Sequence, residues 1–291
     1  MIRYLSHKRF LSFCIARIKS GAPTRAGAGG NGVGFFSIGM GLLVLLVAVA
    51  LLAACGGGPP EALVVSAPAN LRPPLQALAS QIQEAMGAPV IFNYGASGKL
   101  AHQVEQGAPA DVFISANARY VDDLIAKGML APDSNEVIAR GRLVLWSPDP
   151  ELALSGIEDL KQPQIRRIAI ANPDHAPYGM AAREALQAAG LWDAVSPKLV
   201  YGEDVAQSFE YVSAGNVDVA IIPLSMLEKD APGRWINLPQ TLYSPLDQTA
   251  AVVRESKLPD AAHRFIQLLL SPASQKVLAQ YGYTLPNEVT Q

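Results

Sequence analysis

Hydrophobic positions along the chain alternate between two periods. Short apolar, β-branched runs of the kind found in buried strands are each followed by a glycine or polar turn, and then by apolar residues at helical spacing. Residues 90–94 form such a run, Gly95 ends it, and Leu100 and Val104 then lie four positions apart. Residues 112–115 begin the next strand. The pattern therefore predicts strands that alternate with helices.

The same strand, turn and helix order recurs three more times. The predicted strands of these units are residues 62–66, 168–171 and 199–201, and the predicted helices are residues 71–82, 180–189 and 205–213. Further strands are predicted at residues 141–148, 217–222 and 246–253, and further helices at residues 118–127, 261–270 and 274–281. Alternating elements imply parallel sheets, whose ligands lie beyond the carboxyl ends of the strands. The four helix starts are therefore the predicted ligand site.

Each of these helix starts also has a purely structural interpretation. Asn70 and Ser97 are residue types that cap helices, and a helix start has free N–H groups and a dipole that favour an anion. The same asparagine and serine fit simple capping, while Val205 fits a core position and Tyr178 a wall. The pattern alone leaves both interpretations open.

The first 54 residues have the composition of an export signal. They contain six basic residues and no acidic residue, with an apolar stretch from residue 35 to residue 54. The boundary Leu52, Ala53, Ala54 and Cys55 resembles the lipobox of bacterial lipoproteins, in which the cysteine is lipidated. We expect residues 1–54 to be a signal peptide with a lipobox and residues 55–61 to be a tether. A retained membrane helix over residues 35–54, or a misassigned start codon, stays open.

Removal of this segment changes the charge of the protein. The chain has 23 basic and 25 acidic residues, and the exported part retains 17 basic and 25 acidic residues, a net charge of −8. Such a body does not attract nucleic acid. It repels anions at long range, so an anion site has to rely on local hydrogen-bond donors. Cys14 and Cys55 are the only cysteines, so the mature domain has no disulfide and no thiolate metal site.

Catalytic and metal-binding motifs are weak. The four histidines show no pair at i and i+4, so no metal site is expected. Ser97 lies in a Gly-Ala-Ser-Gly turn that lacks the Gly-x-Ser-x-Gly spacing of a hydrolase nucleophile. The Gly-Lys-Ser/Thr ending of a phosphate loop is absent after Gly95. A binding protein without a cofactor is favoured over an enzyme, and an extracytoplasmic serine hydrolase that uses Ser97 is the alternative.

Two stretches carry a specific resemblance to a known family. Residues 64–71 read VVSAPANL, and residues 95–116 read GASGKLAHQVEQGAPADVFISA. Both resemble the substrate-binding proteins of molybdate ABC importers, and the match is long, ungapped and in order. It spans residues 62–286 and includes the closing GYTLP.

The resemblance implies which residues hold the ligand. In this family neutral groups at four or five helix starts bind the oxyanion, and the matching positions here are Asn70, Ser97, Tyr178 and Val205. Asn70 with Tyr178 resembles the Asn/Tyr subgroup. Some members have a tyrosine where this chain has Pro223, so either four groups form the site or Ala69 or the Tyr178 hydroxyl supplies another donor.

The resemblance also implies an architecture and a role. The expected fold is α/β, a type II periplasmic binding protein in which two mostly parallel sheets flanked by helices enclose a cleft. Domain 1 is predicted at residues 62–143 plus 247–291 and domain 2 at residues 144–246. The implied role is capture of molybdate or tungstate for an ABC transporter permease, by a lipid-anchored, periplasmic or outer-face monomer. A sulfate, phosphate or organic-anion receptor on the same fold is the alternative.

Overall fold

The computed structural model describes residues 61–227 and 230–285. The predicted signal peptide, the predicted lipidation site Cys55 and residues 55–60 of the predicted tether lie outside the described residues. Within the described part, no helix is long and apolar enough to cross a membrane.

The described chain alternates strands and helices as the hydrophobic pattern predicts. The strands are β1 Leu63–Pro68, β2 Val90–Gly95, β3 Val112–Ser115, β4 Glu136–Gly141, β5 Leu143–Ser147, β6 Ile168–Ala171, β7 Leu199–Gly202, β8 Val219–Pro223, β9 Arg234–Asn237 and β10 Leu246–Val252. The helices are α1 Arg72–Ala77, α2 Ala79–Met86, α3 Ser97–Glu105, α4 Ala118–Ala126, α5 Pro177–Ala188, α6 Trp192–Val195, α7 Val205–Ser213, α8 Pro259–Leu270 and α9 Pro272–Gln280. Short 3-10 turns occupy Ala69–Leu71, Ile157–Lys161, Ser196–Lys198, Leu224–Met226 and Gln240–Leu242.

The first sheet has the strand order β2-β1-β3-β10-β4. Strands β2, β1 and β3 are parallel, and β10 is antiparallel to both of its neighbours, β3 and β4. Four strands therefore run in one direction and β10 runs in the other. We call this sheet, with the helices α1 to α4, α8 and α9, the first lobe.

The second sheet repeats this plan with the strand order β7-β6-β8-β5-β9. Strands β7, β6 and β8 are parallel, and β5 is antiparallel to β8 and to β9. We call this sheet, with α5 to α7, the second lobe. Two mostly parallel sheets flanked by helices confirm the predicted fold class.

The central strands of both sheets are buried on both faces. Every residue of β3, β5, β6 and β8 is buried, which explains why these strands read as continuous apolar runs in the sequence. The edge strand β2 instead alternates exposed and partly buried positions. Each lobe thus buries apolar side chains above and below its own sheet.

The chain passes between the lobes at a short connection. Arg142 separates β4 of the first sheet from β5 of the second, so the predicted strand over residues 141–148 is interrupted at its start. The chain returns to the first sheet at β10, which begins at Leu246. Strand β9 was not predicted, because its exposed polar ends give residues 234–237 no apolar run.

The predicted helix over residues 71–82 is also interrupted. It forms the turn Ala69–Leu71 followed by α1 and α2, which Leu78 separates with a ψ of −1°, far from the helical value of about −42°. Asn70 lies inside the turn and does not cap it. Of the two interpretations of Asn70, simple capping therefore does not apply.

Candidate functional site

A small cavity lies where the turns after β1 and β2 meet the starts of α5 and α7. All five predicted ligand residues line it: Ala69, Asn70, Ser97, Tyr178 and Val205. The remaining wall consists of Pro68, Gly95, Ala96, Ala176, Pro177 and Asp204. The cavity has an empty volume of about 200 Å³, part of which is open to solvent. The space suits a small ion.

Each of the five predicted residues has a backbone N–H group without a protein partner in the described part of the chain. The first N–H groups of a helix have no partner within the helix. Within residues 61–227 and 230–285, the N–H groups of these five residues donate to no other protein group. Buried N–H groups normally have a partner. Five free donors in the wall of one cavity therefore point to a ligand that accepts hydrogen bonds.

Ser97 adds a hydroxyl to these donors. Its side chain is fully buried, and its Oγ accepts a hydrogen bond from the Ala116 N–H at 3.1 Å. The cap of α3 is Ala96, which makes no side-chain bond to the helix, so of the two interpretations of Ser97 simple capping does not apply. A hydroxyl that already accepts one bond still has its own hydrogen to donate.

The Asn70 side chain is bonded within the protein. Its Nδ2 donates to Gln248 Oε1 at 2.7 Å and to Tyr283 Oη at 2.7 Å. An amide has two hydrogens, so this arrangement leaves none for a ligand. The free donor of Asn70 is therefore its backbone N–H.

Asp204 caps helix α7 next to Val205, at one end of the cavity. Its Oδ1 accepts hydrogen bonds from the N–H groups of Ala206 at 2.9 Å and Gln207 at 3.0 Å. The cap therefore satisfies the second and third donors of α7 and leaves the first, on Val205, for the cavity. Asp204 is the single charged residue among those that line the cavity in the described part of the chain. Its position before a helix start was visible in the sequence, but its place in the wall was not predicted.

Tyr178 lines the cavity, and its side chain reaches Gly141 of the first lobe. The ring is buried, and the hydroxyl has no hydrogen-bond partner among the described residues. It packs against Gly141, where an added Cβ would lie 1.8 Å from the hydroxyl oxygen. Only glycine fits so close an approach. Burial raises the pKa of the Tyr178 hydroxyl well above its ordinary value, so the group stays neutral.

Contacts at the mouth of the cavity connect the two lobes. The Gly98 N–H donates to the His175 carbonyl at 2.9 Å, and Lys99 Nζ lies 2.9 Å from Glu203 Oε1. The hydrogen bond from Lys99 lowers the pKa of the Glu203 carboxyl. Gly98 and Lys99 belong to the first lobe and their partners to the second, so the lobes are closed around the cavity.

The arrangement offers hydrogen-bond donors and no catalytic pair. Within the described residues, no histidine is hydrogen-bonded to Ser97, and His175 instead contacts the Glu203 carbonyl at 2.9 Å. No group of three or more His, Cys, Asp or Glu side chains in this part of the chain is placed to hold a metal ion. The geometry therefore suits reversible capture of an anion.

Comparison with known proteins agrees with this geometry. The family described as bacterial extracellular solute-binding protein matches residues 63–284. The molybdate-binding protein ModA of Rhodobacter capsulatus is 33% identical over 242 residues, which cover 83% of this chain and 93% of the relative. A Bacillus subtilis protein, provisionally named an ABC transporter substrate-binding lipoprotein, is 31% identical over 66% of this chain and 74% of its own length.

The fold is also that of a solved relative. The structure of the periplasmic molybdate-binding protein of Azotobacter vinelandii matches with a TM-score of 0.75 and 30% identity, over 77% of this chain and all of the other. The sequence match and the fold match both cover most of the chain. The protein therefore belongs to the bacterial extracellular solute-binding proteins, in the group that includes the molybdate-binding ModA proteins.

Proposed function

We propose that this protein captures molybdate, and also tungstate, outside the cytoplasm and delivers it to an ABC transporter permease. The observation that carries the proposal is the set of five free N–H groups and the Ser97 hydroxyl around one small cavity. The names of the relatives in Rhodobacter and Azotobacter support the choice of anion. Ala69, Asn70, Ser97, Tyr178 and Val205 are the proposed ligand residues.

The chemistry of the donors supports a fully deprotonated anion. Molybdate near neutral pH only accepts hydrogen bonds, and hydrogen bonds to a charged acceptor are stronger than those between neutral groups. Hydrogenphosphate also carries a proton that needs an acceptor. Leaving that proton unpaired in a buried site costs roughly 1 to 3 kcal/mol, or about ten- to a hundredfold in affinity.

Phosphate remains the alternative that one structural feature favours. Asp204 places a carboxylate in the cavity wall, and a carboxylate can accept the proton of hydrogenphosphate. Its Oδ1 already accepts two backbone N–H groups as the cap of α7, however, and the relatives in Rhodobacter and Azotobacter are named for molybdate. We therefore favour molybdate.

Titration calorimetry of the full-length protein against molybdate, tungstate, sulfate and phosphate tests the proposal. We expect molybdate and tungstate to bind, and phosphate to bind at least tenfold more weakly than molybdate at pH 7. Sulfate is also fully deprotonated, so only the longer metal–oxygen bonds of molybdate and the size of the cavity separate the two. Equal affinity for phosphate and molybdate would refute the preference for a fully deprotonated anion.

The proposed attachment to the membrane rests on the sequence. We propose that Cys55 carries the lipid and that the mature protein is a monomer on the outer face of the membrane, and the lipoprotein name of the Bacillus subtilis relative supports the anchor. The intact mass of protein extracted from membranes should equal the chain from Cys55 onward plus lipid. A mass that still includes residues 1–54 would contradict the anchor.

A further inference from the structure

A buried polar cluster lies directly behind the turn that carries Ala69 and Asn70. It consists of Asn70, Ser225, Gln248 and Tyr283, each at most 4% exposed. We call these four residues the Asn70 cluster. Buried polar groups that are fully satisfied hold one another in a single arrangement. The cluster is therefore placed to fix the geometry of the turn in front of it.

Gln248 fixes one side of the Asn70 amide. Its own Nε2 donates to the Leu246 carbonyl at 2.9 Å, so its Oε1 is turned toward Asn70 and accepts from Nδ2 at 2.7 Å. The pairing of β10 with β4 shifts register between Gln248 and Thr249. Such bulges change the direction in which a side chain leaves a strand.

Tyr283 fixes the other side of Asn70 and its backbone. Its hydroxyl accepts from Asn70 Nδ2 at 2.7 Å and lies within donating distance of the Asn70 carbonyl, at 3.0 Å, and of Ser225 Oγ, at 3.1 Å. Ser225 Oγ also donates to the Asn70 carbonyl at 2.9 Å. Both the side chain and the carbonyl of Asn70 are therefore held, which sets the orientation of the peptide units in the turn.

We propose that Tyr283 is a positioning residue of the anion site, which acts through Asn70 without touching the anion. The Tyr283 hydroxyl and Gln248 hold the Asn70 side chain by hydrogen bonds. The N–H groups of Ala69 and Asn70 therefore stay in the cavity wall. This inference rests on the proposed function. It predicts that loss of the Tyr283 hydroxyl weakens anion binding.

The opposite prediction follows if the Asn70 amide is itself a ligand. The amide would then have to leave Tyr283 or Gln248 when the anion enters, and the Tyr283 hydroxyl would compete with the anion. Its removal would strengthen binding. The sign of the change therefore separates the two roles.

The test is calorimetry of molybdate binding by the full-length protein and its Tyr283→Phe variant. We expect the dissociation constant to rise about tenfold, as for the loss of one hydrogen bond that orders the site. The matched control is Tyr281→Phe, which removes the hydroxyl of a neighbouring, partly buried tyrosine outside the Asn70 cluster. The control should bind as the wild type does.

A double-mutant cycle separates positioning from general stability. If Tyr283 acts through Asn70, Tyr283→Phe should have little further effect in an Asn70→Ala background. Additive losses would overturn the inference, as would unchanged or tighter binding by Tyr283→Phe. Failure of the wild type to bind molybdate would instead overturn the proposed function, and with it this inference.

A measurement on the wild type keeps the inference testable if Tyr283→Phe does not fold. In NMR spectra of protein labelled with ¹⁵N-asparagine, the Asn70 side-chain amide should keep its contacts to the Tyr283 ring when molybdate is added. Loss of those contacts on binding would show that the amide turns to the anion and would overturn the inference.

Discussion

Ser97 and Asn70 show how two polar residues of the same cavity come to differ in their free hydrogens. The Ser97 hydroxyl accepts from the Ala116 N–H and retains its own hydrogen, whereas both amide hydrogens of Asn70 have protein partners. Direct donation by a side chain is therefore expected from Ser97, and backbone donation from Asn70. The difference depends on neighbours that fold into place from distant parts of the chain.

Replacement of Ser97 by alanine should weaken molybdate binding by about 1.5 to 3 kcal/mol, because it removes a hydrogen bond to a charged acceptor. Titration calorimetry measures the change. Ser213→Ala is the control, since its exposed hydroxyl bonds only to the Phe209 carbonyl. Full affinity in Ser97→Ala would place the anion elsewhere.

At the scale of single residues, the sequence predicted which residues line the cavity but not their hydrogen-bond partners. The strand-turn-helix pattern and the family resemblance selected Ala69, Asn70, Ser97, Tyr178 and Val205, and the structure brings all five to one cavity. The partners of Asn70 are 178 and 213 residues away. No local pattern reports such contacts, so the role of its side chain was not predictable.

Helix α7 shows how the cap of a helix determines which backbone N–H group stays free for a ligand. Its Asp204 cap satisfies the N–H groups of Ala206 and Gln207 and leaves that of Val205. The sequence predicted the start of this helix correctly, because a glycine and two acidic residues come before the apolar run. It failed at α1 and α2, where the apolar spacing continues across the interruption at Leu78.

Two substitutions of Asp204 should separate its cap from its charge. Asp204→Asn keeps a capping oxygen and removes a negative charge beside a dianion, so molybdate affinity should increase by about 1 kcal/mol. Asp204→Ala also removes the cap and should lower the free energy of unfolding by about 1 kcal/mol. Calorimetry and urea denaturation measure the two effects. Equal stability of the two variants would show that the cap contributes nothing.

At the scale of the whole molecule, the lobes contact each other on both sides of the cavity. Gly98 and Lys99 contact the second lobe at the mouth, and Ser225 contacts Asn70 behind the cavity. The sheet order and the direction of each strand agree with the predicted fold class. The resemblance carried that prediction, since apolar runs identify strands but do not give their order in a sheet.

Ligand binding should compact the molecule, because an anion that receives hydrogen bonds from both lobes favours the closed arrangement. Solution scattering of the protein with and without molybdate should show a smaller radius of gyration at saturation. An unchanged radius would count against a cleft that closes on its ligand.

The ion pair at the mouth should contribute little to this closure. Lys99 and Glu203 are 44% and 64% exposed, so solvent and salt screen the attraction between them and the pair stabilises the closed arrangement only weakly. Lys99→Ala should therefore change molybdate affinity less than about fivefold. Because Lys99 lowers the pKa of Glu203 below its ordinary 4.5, the contribution is present at neutral pH and is lost as the pH falls through that lowered value. Calorimetry at several pH values tests this.

The position of β10 has a consequence for the order in which the protein acquires its structure. This strand lies between β3 and β4 of the first sheet, although it is the last strand of the described residues, and all five strands of the second sheet precede it. A chain that emerges from a membrane with its amino end first can complete the second sheet while the first still lacks an inner strand. The gap exposes the unpaired hydrogen-bonding edges of β3 and β4. The first lobe of the nascent protein is therefore prone to aggregation until β10, which ends at Val252, has emerged and paired.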